Sequence, residues 1–223
     1  MVGLTTKARF PPRYGLRGPL FIAIAAVAVI VIALCLDSAA IVAVQQIPSG
    51  VKAAFAWLSY LSEPLLVLSA IACGLTVTGL LPSNIGQPAL TVVFRFFGLC
   101  LVSSLLSLFV VFVGKTLIGR ARPLASTDFD PLLFQPLAGI ATFESFPSAQ
   151  AAVAAAICHC AVSSFPSSRG AALAAMVIIG FSRVVTERHW PSDVIAGWLI
   201  GWLGAALVVA LFSHRQRGRS RGF

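Results

Sequence analysis

The segment SRVVTERHWPSD, residues 182 to 193, concentrates charge in a chain that is otherwise strongly apolar. It contains Arg183, His189 and Asp193, although only 10% of all residues are charged. Asp193, four positions after His189, can accept a hydrogen bond from one imidazole nitrogen and direct the other toward an electrophile. Pro191 between them interrupts a regular helix and favours a contact through a turn. A histidine held this way can act as a nucleophile and form a phosphoryl intermediate.

A second cluster, KTLIGRARP at residues 115 to 123, supplies two further cations. Lys115 and Arg122 are seven positions apart, close to two helical turns, and lie on one face if the segment is helical up to Pro123. Two cations on one face repel each other unless an anion lies between them. The fork of an arginine and the point charge of a lysine suit phosphate oxygens, and Arg183 can bind another oxygen.

A third cluster, SFPSAQ at residues 145 to 150, contains a helix start at Pro147 and Ser148. The free N–H groups of such a start bind phosphate, although a plain N-cap is the simpler interpretation of Ser148 alone. Three cations, one oriented histidine and a helix start together predict a site that holds and attacks a phosphate.

The elements that must position these clusters are membrane helices. The chain has 223 residues and a mean hydropathy of +0.95, and its charged fraction is far below the roughly 25% of soluble domains. Six apolar stretches reach or approach the length that crosses a bilayer: residues 19–36, 64–81, 90–114, 147–165, 171–186 and 194–212. We predict an all-α protein, a six-transmembrane-helix bundle in one domain (19–212) between basic tails (1–18 and 213–223).

The first apolar stretch has a rival interpretation as a cleavable secretory signal. Basic residues precede it and small residues follow Asp37, as at a cleavage site. Its 18 apolar residues favour a retained helix.

Basic residues at both ends of the chain predict its orientation. Four precede the first stretch and four follow the last: Lys7, Arg9, Arg13, Arg17, Arg215, Arg217, Arg219 and Arg221. Such residues favour the cytoplasmic side, which predicts two cytoplasmic ends, an even number of spans and all three clusters on the outer face. The tails also account for half of the basic residues, so the net charge of +9 indicates anionic lipid as a partner and not nucleic acid.

Two other classes of site are disfavoured. Cys158, His159 and Cys160 are consecutive and point in different directions on a helix, which argues against a metal site. Ionisable residues are nearly absent from mid-span positions, which argues against a transporter or channel.

The charged clusters resemble motifs of the type 2 phosphatidic acid phosphatase (PAP2) superfamily. Residues 115–123 resemble its K-x6-R-P motif, and residues 182–193 match S-R-x5-H-x3-D. The resemblance implies that His189 is the nucleophile and that Asp193 orients it. It also implies phosphate binding by Lys115, Arg122, Ser148 and Arg183. Family members require no metal or other cofactor and act on lipid phosphates or diphosphates, which implies such a substrate here.

The middle motif departs from the family. The family sequence is P-S-G-H, whereas this chain has Gln150 at the position of the histidine that protonates the leaving oxygen. An amide donates and accepts hydrogen bonds but delivers no proton, and loss of a general acid costs about 10²- to 10⁴-fold in rate. Three hypotheses follow: a preference for diphosphates, whose leaving group needs no proton; a replacement acid, with Glu144 the nearest; or a degenerate protein that binds lipid phosphate without turnover.

The sequence thus predicts a multi-pass protein of a bacterial inner membrane with its site facing the periplasm. The predicted activity is that of a lipid-phosphate or lipid-diphosphate phosphatase acting through a phosphohistidine. Phosphatidic acid, undecaprenyl diphosphate and lipid A are candidate substrates. Phosphotransfer to a lipid acceptor would use the same residues and is an alternative.

Overall fold

The computed structural model describes residues 17–81, 88–125 and 128–219. These residues form seven α-helices: α1 (Arg17–Gln45), α2 (Ser49–Leu61), α3 (Pro64–Leu80), α4 (Pro88–Ile118), α5 (Ala149–Ser164), α6 (Arg169–Val185) and α7 (Pro191–Arg219). Single 3₁₀ turns lie at Pro123–Ala125, Ala141–Phe143 and Pro166–Ser168. Within the described ranges there is one isolated bridge, between Arg120 and Phe134, and no strand, so the all-α prediction is confirmed.

Each of the six predicted apolar stretches lies within or largely within a helix. Among the residues that the structure describes, three helical segments are long and apolar enough to cross a membrane: Leu90–Ile118, Pro166–Val185 and Pro191–His214. The segments Ser49–Leu61 and Pro64–Leu80, bent by 48° at their joint, make a fourth if they form one span. Two shorter apolar stretches are Val29–Gln45, which is the C-terminal part of α1, and Ala149–Ser164, which is α5. The chain is an integral membrane protein, and the count of six spans stays a prediction.

The two basic tails, which predict the orientation of the protein, lie mostly outside the described part of the chain. Among the basic residues of the tails, Lys7, Arg9, Arg13 and Arg221 fall outside it. The cytoplasmic location of both ends therefore also stays a prediction.

Helix α1 continues nine residues past the predicted end of the first stretch. Asp37, which immediately precedes the possible cleavage zone of the signal-peptide interpretation, is completely buried in this continuation. Its carboxylate accepts a hydrogen bond from Arg120 at 2.7 Å. The polar end of the stretch is therefore part of the folded core, which favours the retained helix.

Helix α5 packs closely against α7 because both present small residues at the crossing. A Cβ atom added to Gly201 would lie 1.9 Å from the carbonyl oxygen of Ala152, and one added to Gly197 would lie 2.5 Å from that of Ser148. Membrane helices approach closely at such small residues. The approach places the N-terminus of α5 directly beside the first turn of α7, where Ser148 N–H donates to the carbonyl of Asp193 at 3.0 Å.

Candidate active site

Five of the seven residues predicted for the site line one cavity of about 730 Å³. They are Lys115, Arg122, Gln150, Arg183 and His189. They come from the end of α4 and the loop that follows it, the first turn of α5, the last turn of α6 and the α6–α7 connection. The other two, Ser148 and Asp193, are completely buried and do not line the cavity.

The end of helix α6 turns the chain so that His189 reaches this cavity. Glu187 adopts a left-handed conformation with φ of 56°. Its N–H donates to Val184 at 2.9 Å, and the N–H of Arg188 donates to Arg183 at 3.1 Å. These bonds form a Schellman motif, which satisfies the last carbonyls of a helix and reverses the chain. The motif places His189 close to Arg183, whose carbonyl accepts its backbone N–H at 3.3 Å.

The imidazole of His189 is held in one tautomer by a backbone carbonyl. Its Nδ1 lies 2.7 Å from the carbonyl oxygen of Ser145. Because that oxygen can only accept, Nδ1 carries the proton and Nε2 of the neutral ring keeps a lone pair. Burial lowers the pKa of His189 to about 4, so the ring is neutral at pH 7. The ring thus has the tautomer and charge state of a nucleophile.

Asp193 orients His189 less directly than the sequence predicts. Its Oδ2 is 3.8 Å from His189 Nδ1, an ion-pair distance too long for a hydrogen bond. The same oxygen accepts from Ser145 Oγ at 2.5 Å and from Trp190 N–H at 2.9 Å. Because helix α7 begins only at Pro191, His189 and Asp193 do not share a helical face. The carboxylate therefore holds Ser145, whose carbonyl in turn holds the imidazole.

A buried arginine that the sequence analysis did not select supports Asp193 from the other side. Arg120 is 1% exposed, and its Nη1 donates to Asp193 Oδ1 at 2.6 Å and to Ser192 Oγ at 2.7 Å. Its Nη2 donates to Asp37. Arg120 lies inside the KTLIGRARP segment, where spacing alone did not separate it from a surface cation. Asp37 is an isolated acid in an apolar helix, and such a residue indicates that a buried cation pairs with it.

The cations of the cavity have donor groups available for an anion. Lys115 Nζ donates to the carbonyl of Glu144, and Arg183 Nη1 donates to Ser59 Oγ. The buried Nε atoms of Arg122 and Arg183 have no hydrogen-bond partner among the described residues. Burial, together with the charge of Arg188, lowers the pKa of Arg122, which remains a cation at neutral pH. Buried unsatisfied donors are costly, so an anionic ligand is the natural partner.

Ser148 occupies the helix start that the sequence predicts, and its hydroxyl acts as the N-cap of α5. Its Oγ lies 3.5 Å from the N–H of Ala151, and the residue is completely buried. The next two residues, Ala149 and Gln150, line the cavity in its place. The first turn of α5 therefore faces the site, while the serine side chain supports that turn from behind.

Gln150, at the position where the middle motif departs from the family, binds a carboxylate. Its Nε2 donates to the carbonyl of Ser59 and to Oε1 of Glu63, both at 3.0 Å. Glu63 stands at the joint between α2 and α3 and lines the cavity. The carboxyl of Glu144, the replacement acid proposed from the sequence, does not line the cavity. Sequence reasoning missed Ser59 and Glu63, because only helix packing brings them to Gln150.

Two proteins named lipid A 1-phosphatase, from Rhizobium etli and Rhizobium johnstonii, are each 37% identical to the chain over 111 residues. The match covers 47% of this chain and 48% and 46% of these relatives, so the chain spans about half of their length.

Two solved structures share the fold at low sequence identity. The crystal structure of Aquifex aeolicus LpxE is 17% identical with a TM-score of 0.53, covering 74% of this chain and 89% of its own. The Bacillus subtilis structure of a PAP2-type phosphatidylglycerolphosphate phosphatase is 16% identical with a TM-score of 0.55. That match covers 86% of this chain and 96% of the other.

The PAP2 superfamily profile matches residues 96–217. This segment is more than half of the chain and contains all three clusters of candidate site residues. The resemblance inferred from the motifs is therefore confirmed, and the chain belongs to the PAP2 superfamily.

Proposed function

We propose that this protein is a membrane lipid-phosphate phosphatase that uses His189 as its nucleophile. The observation that carries the proposal is the neutral imidazole of His189, with its lone pair on Nε2, in a cavity that also holds Lys115, Arg122 and Arg183. The family membership and the names of the Rhizobium relatives support the same reaction.

In the first step, His189 Nε2 attacks the phosphorus and a nitrogen–phosphorus bond forms. The bond from phosphorus to the lipid oxygen breaks, and that oxygen keeps the electron pair and takes up a proton from solvent. The phosphorylated ring, still protonated on Nδ1, carries a positive charge that Asp193 stabilises from 3.8 Å. Water then displaces the histidine and releases inorganic phosphate.

The three cations supply the charge neutralisation that a metal ion provides in other phosphatases. We expect phosphate release to be unchanged when EDTA is added to the purified protein. A loss of activity that magnesium or zinc restores would contradict this expectation.

Lipid A carrying a 1-phosphate is the first candidate substrate, because the Rhizobium relatives are named for it. A polyprenyl diphosphate is the second candidate, and Gln150 favours it because a phosphate leaving group needs no proton. The cavity opens, in this proposal, at the periplasmic face of a bacterial inner membrane. Six spans and two cytoplasmic tails give this orientation, and the acyl chains enter between helices from the bilayer.

The first experiment measures phosphate release by the purified protein from four lipids. They are phosphatidic acid, phosphatidylglycerol phosphate, a lipid A 1-phosphate species and undecaprenyl diphosphate. The natural chain is compared with His189→Ala and Gln150→His. We expect release from at least one lipid by the natural chain and none by His189→Ala, whereas full activity of His189→Ala would exclude it as the nucleophile.

The Gln150→His variant distinguishes the remaining functions. If it mainly adds monoester cleavage to a protein that already cleaves diphosphate, Gln150 determines specificity. If cleavage appears only after histidine is restored, the natural protein is a lipid-phosphate binder. If the natural chain transfers the phosphate of a radiolabelled substrate to an added lipid alcohol and not to water, the protein is a phosphotransferase.

A further inference from the structure

A phosphohistidine intermediate has to be hydrolysed, and the attacking water needs a base. The cations that line the cavity cannot accept a proton at neutral pH, and an amide such as Gln150 is not a base. Among the described residues that line the cavity, the acidic side chains are those of Glu63 and Glu187. The base for this step should therefore be sought between these two carboxylates.

Glu187 is engaged by other side chains on both of its oxygens. Lys52 Nζ lies 2.6 Å from its Oε1, and Gln45 Nε2 donates to its Oε2 at 2.6 Å. These contacts tie the α6–α7 connection to α2 and to the end of α1. Both oxygens of Glu187 are thus already occupied by side-chain nitrogen donors. Glu187 therefore serves as a structural contact at the rim of the cavity.

Glu63 is held differently, by a neutral donor on one oxygen. Gln150 donates to Oε1, and the same amide nitrogen donates to the Ser59 carbonyl. Two acceptors on one side fix the orientation of the amide, since its oxygen could not donate to either. Arg183 also donates to the hydroxyl of Ser59, four residues before Glu63. The arginine proposed to bind phosphate and the amide that binds the Glu63 carboxylate therefore both contact Ser59.

We propose that Glu63 is the general base for hydrolysis of the phosphohistidine and that Gln150 is its positioning residue. The proposal rests on the proposed function. Oε2 of Glu63 takes a proton from water as the water oxygen bonds to phosphorus. The nitrogen–phosphorus bond breaks, its electron pair returns to Nε2 of His189, and phosphate leaves. Glu63 then releases the proton to solvent.

This assignment explains what a glutamine contributes at position 150. It cannot transfer a proton itself, but its two N–H groups can bind a carboxylate and a backbone carbonyl at once. The proton-transfer group then comes from the joint between α2 and α3, outside the segment matched by the family profile.

The test separates formation of the phosphoenzyme from its hydrolysis. A substrate cleaved in the panel above is prepared with a radiolabelled phosphate and mixed with excess protein. Samples are quenched in alkaline detergent, in which phosphohistidine is stable, and label is counted on protein and in free phosphate. We expect Glu63→Gln to form phosphoenzyme at the natural rate and to hydrolyse it about 10²- to 10⁴-fold more slowly, so that labelled protein accumulates.

Three further variants define the interpretation. Glu63→Ala should regain hydrolysis when formate is added, because a small carboxylate can occupy the vacated position, and a merely structural defect would not respond. Gln150→Ala should accumulate phosphoenzyme to a smaller extent. Asp130→Asn removes one negative charge outside the cavity and keeps an oxygen to accept from the N–H of Leu132, so it should behave as the natural chain.

The outcomes distinguish this inference from the proposed function. If the natural chain forms no labelled protein that depends on His189, the nucleophile assignment fails, and the base assignment fails with it. If phosphoenzyme forms normally but Glu63→Gln hydrolyses it at the natural rate, only the role of Glu63 is overturned. Equal slowing of both steps, without rescue by formate, also overturns that role.

Discussion

At the scale of single residues, the chemistry depends on which state each side chain is held in. His189 is 2% exposed and donates through Nδ1 to a carbonyl, so the lone pair of the neutral ring lies on Nε2, the atom proposed to attack phosphorus. Its environment contains Lys115 and Arg183, and their charges add to burial in opposing a proton on the ring. The protein thus keeps the imidazole of His189 neutral near pH 6, where a histidine in solution is partly charged.

The neutral state of His189 predicts that phosphoenzyme forms down to an unusually low pH. Because the pKa of His189 is lowered to about 4, the rate of phosphoenzyme formation should persist to about pH 5 and fall as the pH passes through about 4. The measurement is single-turnover labelling between pH 4 and pH 8, with ionisation of the substrate phosphate determined separately by ³¹P NMR and divided out. An acid limb centred near pH 6.5 would contradict the buried neutral ring.

The same shift predicts a loss of stability on acidification. The unfolded chain binds a proton at His189 below about pH 6.5, whereas the folded protein resists it down to about pH 4. The free energy of unfolding therefore falls as the pH drops through this window. Replacing His189 by Gln should weaken that dependence, which thermal unfolding in detergent can measure. An identical pH dependence in the two proteins would contradict the assignment.

At the scale of elements, one buried ion cluster joins the first and last helices to the α4–α5 loop. Arg120 from the loop binds Asp37 on α1 and Asp193 on α7, and all three side chains are at most 1% exposed. Ser192 N–H and Oγ also donate to Asp37, at 3.0 and 2.5 Å. These contacts anchor the start of α7 and with it the carboxylate behind the histidine.

Replacing Arg120 should therefore lower the free energy of unfolding more than replacing one of its two carboxylate partners. Arg120→Gln leaves two buried carboxylates without their cation, and breaking a buried ion pair in this way costs about 3–5 kcal/mol. Asp37→Asn should cost less, because Asp193 still pairs with Arg120. Thermal unfolding in detergent checks the order. Arg169→Gln, at an exposed position, is the control and should be nearly neutral. Equal effects of Arg120→Gln and Arg169→Gln would contradict the role of the cluster.

At the scale of the whole molecule, the site is assembled by the close crossing of α5 and α7. This crossing brings the first turn of α5, which carries Gln150, beside the first turn of α7, where the backbone carbonyl of Asp193 accepts from Ser148 N–H at 3.0 Å. Buried alanines of α5 and the glycines of α7 make the approach possible. The large apolar side chains that remain exposed, such as Phe109, Phe112 and Leu207, suit contact with lipid tails.

A methyl group at this crossing should affect stability and activity together. Gly201→Ala would place Cβ 1.9 Å from the Ala152 carbonyl oxygen, so the helices must separate, at a cost of about 1–3 kcal/mol. Gly98→Ala is the matched control within α4, because no heavy atom lies within 4 Å of its added Cβ. That change should be neutral or stabilising by up to about 1 kcal/mol. Equal unfolding temperatures for the two variants would show that the crossing tolerates separation.

The sequence by itself determined the features that depend on local spacing. Apolar length predicted the helices, and the positions of Lys115, Arg122, Arg183 and His189 predicted a phosphate site and the family. Tertiary structure alone decided the contacts between distant segments. Gln150 and Ser59 are 91 positions apart, and Arg120 and Asp37 are 83 apart. Which side chains meet at such separations depends on how helices cross and rotate, and periodicity within one helix does not specify that geometry.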